Sequence, residues 1–240
     1  MTTTMSKKIH LVYYSYIGGV EPYPDGKYFW KDVILGQMKD IKNSGILEAS
    51  KLYIIICSER QDLLDEAKTS IDTFFNGINV DYTIEFETVN TYEYPGIKKI
   101  YDISLEHPDS ICLYTHSKQL GHSNVLQNHR GHTEMVCTQN TINHWRKILT
   151  LFEESEWIQK ICLFPSPQGF SWFNFWWART NYISKCNKPT IESDRYYYER
   201  WLGEQGSNTS KDCLSIATGS NTEFSGSQAC GSVNQLHFSW

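Results

Sequence analysis

The feature that most constrains the fold is an alternation of apolar strand-like runs with amphipathic helical segments over residues 9–114. Four runs rich in β-branched and aromatic residues predict strands at 9–16, 51–57, 81–89 and 110–114. Apolar residues recur at a helical period over 28–47, 61–75 and 92–105. Because strands joined by helical crossovers pair in parallel, this order predicts an α/β fold with a mainly parallel sheet covered by helices on both faces.

Local signals mark where these helices begin and end. Gly45 and Gly77 stand where the first and second helices should stop. Ser58 and Gln61 have the spacing of a capping box, which predicts that the second helix starts there. Pro95 falls in the first turn of the third helix, where a missing N–H is tolerated.

The second half of the chain has a less regular pattern. Residues 115–137 are polar and rich in histidine, which is typical of an active-site loop. Helical spacing then predicts a helix over 138–156, followed by a strand over 157–164. Residues 173–178 fit either a strand or a helix start, and Ser193 or Asp194 is placed to cap a last helix ending at Leu202.

Composition changes sharply after residue 203. Residues 206–231 are dominated by Ser, Gly, Asn and Thr, which bury too little apolar surface to offset the entropy lost on ordering. We therefore predict a single domain over 1–205 and a disordered tail over 206–240.

Charge and composition exclude several classes of protein. The net charge of −5 argues against a nucleic-acid-binding protein held mainly by phosphate contacts. No stretch approaches the ~20 apolar residues of a membrane-spanning helix, and residues 1–16 lack the apolar core of a signal peptide. We therefore expect a cytoplasmic protein. The seven cysteines form no Cys-x-x-Cys pair, so nothing suggests structural zinc.

Residues Thr115, His116, Ser117 and Lys118 follow the fourth predicted strand directly. They therefore fall at the carboxyl edge of the sheet, where ligands of parallel sheets bind. Backbone N–H groups, an imidazole and a cation at this edge suit an anionic ligand such as a diphosphate. An ordinary exposed loop would contain the same residue types.

Four histidines form a second group at positions 116, 122, 129 and 132, with Glu134 as the nearby carboxylate. Histidine is the commonest metal ligand, but the intervals of five, six and two residues match no compact zinc pattern. We favour solvated loop histidines as the interpretation.

Acidic residues surrounded by aromatic ones form a third group, with Glu192, Asp194 and Glu199 close to Arg195 and residues 196–198. A carboxylate among aromatic rings can serve as a general base. The alternative is a helix cap at Asp194 and an i,i+4 ion pair between Arg195 and Glu199.

Three stretches in combination resemble a known family, and they are 90–95 (NTYEYP), 113–118 (LYTHSK) and 174–179 (NFWWAR) continuing to 195–203 (RYYYERWLG). They are similar to the small GT-A-type glycosyltransferases of bacterial capsule and lipopolysaccharide synthesis and of large DNA viruses. The resemblance covers about residues 8–205 and implies a Rossmann-type sheet and sugar transfer from a nucleotide-sugar donor to a glycan hydroxyl, with inversion.

The resemblance also implies roles for particular residues. Glu199 falls where inverting members place the catalytic base, and Asp194 is the second candidate. The implied donor-binding residues are Tyr13, Tyr14, Tyr92, Glu93, His116, Ser117 and Lys118. The implied acceptor and sugar pocket consists of Trp172, Asn174, Trp176, Trp177, Arg179 and Arg195.

One departure from the family pattern concerns the metal. The wider GT-A fold usually has an Asp-x-Asp after the fourth strand, which binds Mn²⁺ or Mg²⁺ against the donor diphosphate. Here the same position reads His116-Ser117-Lys118. The need for a divalent metal is therefore open, and Lys118 with His116 is expected to neutralise the leaving diphosphate instead.

Two other functions fit parts of the sequence. A non-catalytic nucleotide- or carbohydrate-binding module on the same fold would explain both the missing Asp-x-Asp and the 14% aromatic content. A metallohydrolase built on the histidine loop is the other alternative.

Overall fold

A single sheet of seven strands organises the protein, whose computed structural model describes residues 9–18, 29–117, 130–203 and 210–236. The strands are β1 (Ile9–Tyr16), β2 (Ser50–Cys57), β3 (Tyr82–Glu87), β4 (Ile111–His116), β5 (Lys160–Cys162), β6 (Trp176–Arg179) and β7 (Cys213–Ser215). Their order across the sheet is β3-β2-β1-β4-β6-β5-β7. Strands β1 to β4 pair in parallel, and β6 runs antiparallel to both β4 and β5.

The helices lie between and after these strands. They are α1 (Phe29–Asn43), α2 (Gln61–Phe75), α3 (Tyr94–Glu106), α4 (His132–Ile142), α5 (Trp145–Glu154), α6 (Thr180–Ile183), α7 (Tyr197–Arg200) and α8 (Gly226–Val233). Short 3-10 turns occupy Ile46–Glu48, Trp172–Asn174 and Trp201–Gly203. The predicted mixed α/β fold, with one mostly parallel sheet flanked by helices, is confirmed.

Alternating side chains of the strands supply two apolar cores. Leu11 and Tyr13 of β1 face α1, α2 and α5, whereas Val12 and Tyr14 face α3, α6 and α7. Because both faces of β1 are covered, the strand is buried almost throughout, as its near-continuous apolar sequence predicts.

The predicted helix over 138–156 is replaced by two helices, α4 and α5. Val136 and Cys137 of α4 pack in a third apolar cluster with Ala229 and Val233 of α8. The buried face of α5, with Ile148 and Phe152, packs on the sheet instead. Two segments that bury their side chains in different directions cannot form one straight helix, so the chain turns between them.

The capping box predicted at Ser58 and Gln61 is wrong. Helix α2 does begin at Gln61, but its N-cap is Arg60, which makes no side-chain cap bond. The hydroxyl of Ser58 is buried and accepts a bond from the Arg60 N–H at 3.2 Å. Ser58 therefore closes a tight turn after β2.

The segment 206–240 was predicted to be a disordered tail. Its described part, residues 210–236, instead contains a strand and a helix that pack on the domain. Strand β7 pairs in parallel with β5, and α8 packs against α4. Ser225 and Gln228 form a complete capping box at the start of α8. A three-residue strand and a short capped helix contain too few apolar residues for composition to reveal them, although Ser225-x-x-Gln228 is a readable signal.

None of the helices in the described ranges combines the length and apolarity required to cross a membrane.

Candidate active site at the carboxyl edge of the sheet

The sheet has its topological switch point between β1 and β4. From β1 the chain goes to β2 on one side, whereas β4 lies on the other side. Ligands of open α/β sheets bind beyond the carboxyl ends of the strands at such a point. Here Ser15 of β1 and Ser117 after β4 share a hydrogen bond of 2.7 Å between their hydroxyls. Lys118, the predicted diphosphate partner, lies outside the described residues.

A carboxylate lies beside this switch point at the N-cap of α3. The Tyr114 hydroxyl donates to Oε2 of Glu93 at 3.1 Å, and the side-chain amide of Asn174 donates to the same oxygen. Nδ1 of His116 lies 3.5 Å from Oε1 of Glu93. Glu93 thus joins α3 to β4 and to the turn before β6.

His116 has both ring nitrogens directed at protein groups. Nε2 lies 2.9 Å from the Phe173 carbonyl, and a carbonyl is an acceptor, so Nε2 carries a proton. The ring also contacts Tyr114 and Phe175, and the residue is 7% exposed. Direct contact with a diphosphate, as proposed from the sequence, would require His116 to leave these partners.

The backbone next to this cluster is strained at three positions. Tyr92, Phe173 and Asn174 have φ angles of 54°, 68° and 59°, and among the described residues no other non-glycine residue has a positive φ. Such conformations cost on the order of 1–3 kcal/mol each and concentrate at functional sites. All three flank Glu93 or His116 in the structure, which directs attention to this pair.

The three sequence stretches that carry the family resemblance meet at this cluster. The first contributes Glu93, the second Tyr114 and His116, and the third Asn174. The Trp176 indole N–H donates to Asn174 Oδ1 at 2.8 Å. Residues 195–203, which continue the third stretch, contact the cluster through Tyr198. The Tyr198 carbonyl accepts a bond from Asn174 Nδ2 at 3.5 Å. Residues far apart in the chain thus share one site.

A second buried hydrogen-bond network holds the end of β4 from the α1 side of the sheet, whereas the Glu93 cluster lies on the α3 side. Gln37 accepts a bond from the Tyr13 hydroxyl at 2.7 Å and donates to the His116 carbonyl at 3.0 Å. It also donates to Thr138, whose hydroxyl donates to Glu134. Sequence reasoning placed Tyr13 against the nucleotide, but the residue is fully buried and burial raises the pKa of its hydroxyl. It therefore positions β4 rather than facing a ligand.

An ion-pair cluster that sequence reasoning missed anchors the chain at Arg130, just before α4. Arg130 makes two bonds to the buried Glu134, at 2.8 and 2.6 Å, and approaches Asp40 at 2.8 Å. It lies over Gly36, where a Cβ atom would come within 2.6 Å of its Cδ. The i,i+4 spacing of Arg130 and Glu134 is the sequence signal that could have indicated this pair.

Glu134 is therefore part of an ion pair with Arg130. Burial raises the pKa of the Glu134 carboxyl, against the opposing effect of Arg130. His132 bonds to the Val233 carbonyl of α8 at 3.0 Å, and His122 and His129 lie outside the described residues. In the described ranges, no three His, Cys, Asp or Glu side chains are grouped to hold a metal ion.

The two candidate bases are in different environments. Asp194 is exposed, accepts the Tyr196 N–H at 2.9 Å and pairs with Arg200 at 2.6 Å. These bonds, from Tyr196 and then Arg200, hold the pKa of the Asp194 carboxyl below its usual value. Glu199 is half-buried on α7, next to Tyr198, whose carbonyl reaches the cluster. The helix predicted from a cap at Ser193 or Asp194 to Leu202 is observed as the shorter α7 and the 3-10 turn that follows it.

Several predicted pocket residues lie away from this cluster. Arg179 pairs with Ile111 at the opposite end of β4 and donates to the Ile158 carbonyl at 2.8 Å. Trp177 faces the α1, α2 and α5 side, where it bonds to the Thr141 carbonyl at 3.0 Å. Trp172 bonds to the Phe224 carbonyl, and Arg195 is exposed over the Tyr196 ring. Tyr14, by contrast, is buried on the α3 side of β1 close to the cluster, where burial and then the charges of neighbouring groups that include Glu93 raise the pKa of its hydroxyl.

An open cavity of about 480 Å³ lies between β3 and α3. Thr91 and Tyr94, which flank the strained Tyr92 and Glu93 in the chain, line it. Val89 and Ile191 also line it, and both are largely exposed apolar side chains. The cavity has the size of a small-molecule site.

No model of a known protein family matches this sequence. A search of curated proteins likewise finds no match.

Proposed function

We propose that the protein is a nucleotide-sugar-dependent glycosyltransferase that moves a sugar to a glycan hydroxyl with inversion. The observation that supports this most is the meeting of the three family-like stretches on Glu93 beside the switch point. These stretches are separated by up to 81 residues between bonded side chains, and the fold brings them together where an α/β sheet binds ligands.

The diphosphate of the donor is proposed to lie over the Ser15–Ser117 pair. The two hydroxyls are 2.7 Å apart at the ends of β1 and β4, and Lys118 follows Ser117 directly in the chain. Ser15 is fully buried, so the half-buried Ser117 is the hydroxyl available to the ligand, and Ser15 holds it in place. A hydroxyl and an ammonium group can stabilise the charge that develops on a leaving diphosphate. His116 is less suited to this role, because both its nitrogens are engaged by protein groups.

Glu199 is the proposed base that takes the proton of the acceptor hydroxyl. It is half-buried and adjacent to Tyr198, whose carbonyl reaches Asn174. Asp194 is engaged by Arg200 and by a backbone N–H, which weakens it as a base. Asn174 and Trp176 are fully buried, so their proposed role is to support the sugar position from within the core. The cavity between β3 and α3 offers room for the acceptor.

The first test is a thermal-shift panel of UDP, GDP, CDP and dTDP and their sugar conjugates, each with Mn²⁺ and with EDTA. A ligand at 100 times its Kd stabilises the folded state by about 2.7 kcal/mol, so binding is readily seen. We expect one base to be selected, with similar shifts in Mn²⁺ and in EDTA. The Glu199→Gln variant should keep this shift and lose transfer by on the order of a hundredfold or more.

Three other outcomes would contradict all or part of this proposal. Donor binding by the wild type with no turnover on any glycan tested would favour the non-catalytic binding module. Full activity of Glu199→Gln would remove Glu199 as the base. The absence of a shift with every nucleotide would contradict the transferase proposal itself.

A further inference from the structure

A second cavity lies between α5 and β7, on the face of the sheet opposite the Glu93 cluster. This α5–β7 cavity has a volume of about 160 Å³. Its apolar wall consists of Ile148, Leu151, Ile161, Leu214 and Ile216. Leu151 and Ile216 pack against the core but stay half-buried, because the sheet ends at β7, which has only three residues. The cavity therefore leaves apolar surface open to a small ligand.

The ionisable residues that line the α5–β7 cavity are both basic. They are His144, the N-cap of α5, and Lys147 in the first turn of that helix, and both are exposed. None of the described lining residues is Asp or Glu. Within the described ranges Lys147 forms no ion pair, whereas Lys98 beside the larger cavity pairs with Asp102. An unpaired ammonium group beside an apolar wall favours a ligand with one anionic group.

The volume restricts the ligand to a small molecule. A dry apolar cavity of about 150 Å³ is large enough for a benzene ring, whereas a drug-sized ligand fills about 300–1,000 Å³. The α5–β7 cavity is therefore too small for a sugar nucleotide or for a glycan chain. One aromatic ring, or an acyl chain of about six carbons, has the right size.

We propose that the α5–β7 cavity binds a small organic acid. The aromatic ring or short acyl chain of this acid lies between α5 and β7, and Lys147 pairs with its carboxylate. His144 lines the same cavity and offers a ring nitrogen as a hydrogen-bond partner. The site uses none of the residues assigned above to the donor, the acceptor or the base, so the inference is independent of the proposed function.

A ligand in this cavity also fastens the last strand of the sheet. Ile216 packs against both the sheet core and the cluster of α4 and α8. Its N–H donates to the Cys162 carbonyl at 2.8 Å, which continues the pairing of β7 with β5. A ligand in contact with Leu214 and Ile216 opposes the opening of this edge, so exchange of the Ile216 amide hydrogen should become slower when the ligand binds.

The test is a titration of ¹⁵N-labelled protein with benzoate and hexanoate, followed through the backbone amide signals. Benzamide and hexanamide are the uncharged comparisons, because each keeps the apolar body and replaces the carboxylate. We expect the signals of Leu214 and Ile216 to shift with all four ligands, and the wild type to bind each acid about fivefold more tightly than its amide. Lys147→Gln should bind the amides like the wild type and lose its preference for the acids.

A second variant tests the apolar part of the site. Leu151→Trp fills the cavity from the α5 side, so it should abolish the binding of both acids and both amides. Leu151 is half-buried, and the fully buried Ile148 and Phe152 of the same helix are unchanged in this variant. If Leu151→Trp does not fold, Lys147→Gln decides the question alone.

Lys188→Gln is the matched control. Lys188 is exposed and follows Asn187, whose carbonyl accepts the Trp201 indole N–H on the α3 side of the sheet. Its preference for acids over amides should equal that of the wild type. A loss of the same size in Lys188→Gln would show a general charge effect and would overturn the proposal.

Two further results would also overturn it. If the wild type bound each acid no better than its amide, the pairing of Lys147 with a carboxylate would be wrong. If neither the acids nor the amides shifted the signals of Leu214 and Ile216, the cavity would not be a binding site. Neither result bears on the proposed function, which the nucleotide panel tests separately.

Discussion

Asn174 shows how much a single side chain holds together in this site. It has a left-handed backbone (φ 59°), donates to Glu93 and accepts the Trp176 indole N–H at 2.8 Å. Asn174 is fully buried. Among common residues, asparagine tolerates this backbone conformation best after glycine, and its amide offers a donor and an acceptor at once. Both properties are used here.

Asn174→Ala should therefore destabilise the protein. The Trp176 indole loses its acceptor inside the core, and alanine at a positive φ adds backbone strain. We expect the free energy of unfolding in urea to fall by about 1–3 kcal/mol. The control Asn76→Ala changes an exposed residue with an ordinary φ of −57° and should stay within about 0.5 kcal/mol of wild type. Equal losses in both variants would contradict this account of Asn174.

The sequence could predict those residues of the candidate site that belong to a motif. Glu93, His116, Asn174 and Trp176 were all named from the resemblance, and the structure brings these four together. Their mutual bonds were not predictable, because the positive φ angles at Phe173 and Asn174 depend on how β6 returns antiparallel to β4. No local sequence rule specifies that return.

At the scale of elements, the C-terminal strand and helix support the site from behind. Trp172 donates its indole N–H to the Phe224 carbonyl at 2.7 Å, and its ring packs on Gly226 at the start of α8. Trp172 precedes Phe173, whose carbonyl holds His116. The segment that composition assigned to a tail thus fixes the turn that orients the histidine.

Two glycines of α8 make this support testable. A Cβ at Gly226 would lie 3.2 Å from the Trp172 ring, whereas a Cβ at Gly231 would meet nothing within 4 Å. Gly226→Leu should displace Trp172 and lower the free energy of unfolding by about 1–3 kcal/mol. Gly231→Leu should be neutral or stabilise α8 by up to about 1 kcal/mol. The same loss from both substitutions would mean that α8 tolerates no leucine and that Trp172 is not responsible.

The elements differ in how well the sequence predicts them. Strands β1 and β2 match their predicted bounds within one residue, because a buried strand needs an apolar run of its own. Strand β7 has three residues and a partner, β5, that lies about 50 residues earlier. The stability of β7 comes from that distant partner, so no short window of sequence around residues 213–215 predicts a strand there.

For the whole molecule, buried tyrosines and buried thiols together determine the response to alkaline pH. Burial raises the pKa values of Tyr13, Tyr14, Tyr114 and Tyr182 above their usual 10. The neutral hydroxyls are compatible with the fold below pH 10, where both states are protonated. Above pH 10 the unfolded chain loses these protons while the folded chain keeps them, so the stability falls as the pH rises.

Urea unfolding at pH 8, 9.5, 10.5 and 11 should show this loss. We expect the stability to fall first from about pH 9, because burial raises the pKa values of the Cys57 and Cys112 thiols above their usual 9. Above pH 10 the decrease should steepen by roughly 1.4 kcal/mol per pH unit for each buried tyrosine. Tyr14→Phe removes one such group and should make the slope shallower. The raised pKa of Lys98, which Asp102 holds, acts in the same direction and is common to both proteins. Identical slopes in wild type and Tyr14→Phe would contradict the role of Tyr14.

The parallel pairing of β5 with β7 also has a consequence during synthesis. Cys162 and Cys213 on these strands lie 51 positions apart, so at about 5–20 residues per second the ribosome needs roughly three to ten seconds to deliver the second strand after the first. Once β6 has joined β5 to the nascent sheet, β5 is an open edge until β7 arrives, able to pair with a neighbouring chain on the same messenger. The fraction of newly made protein that aggregates should therefore depend on how fast residues 163–215 are translated. It should also depend on whether a chaperone binds the nascent chain during that time.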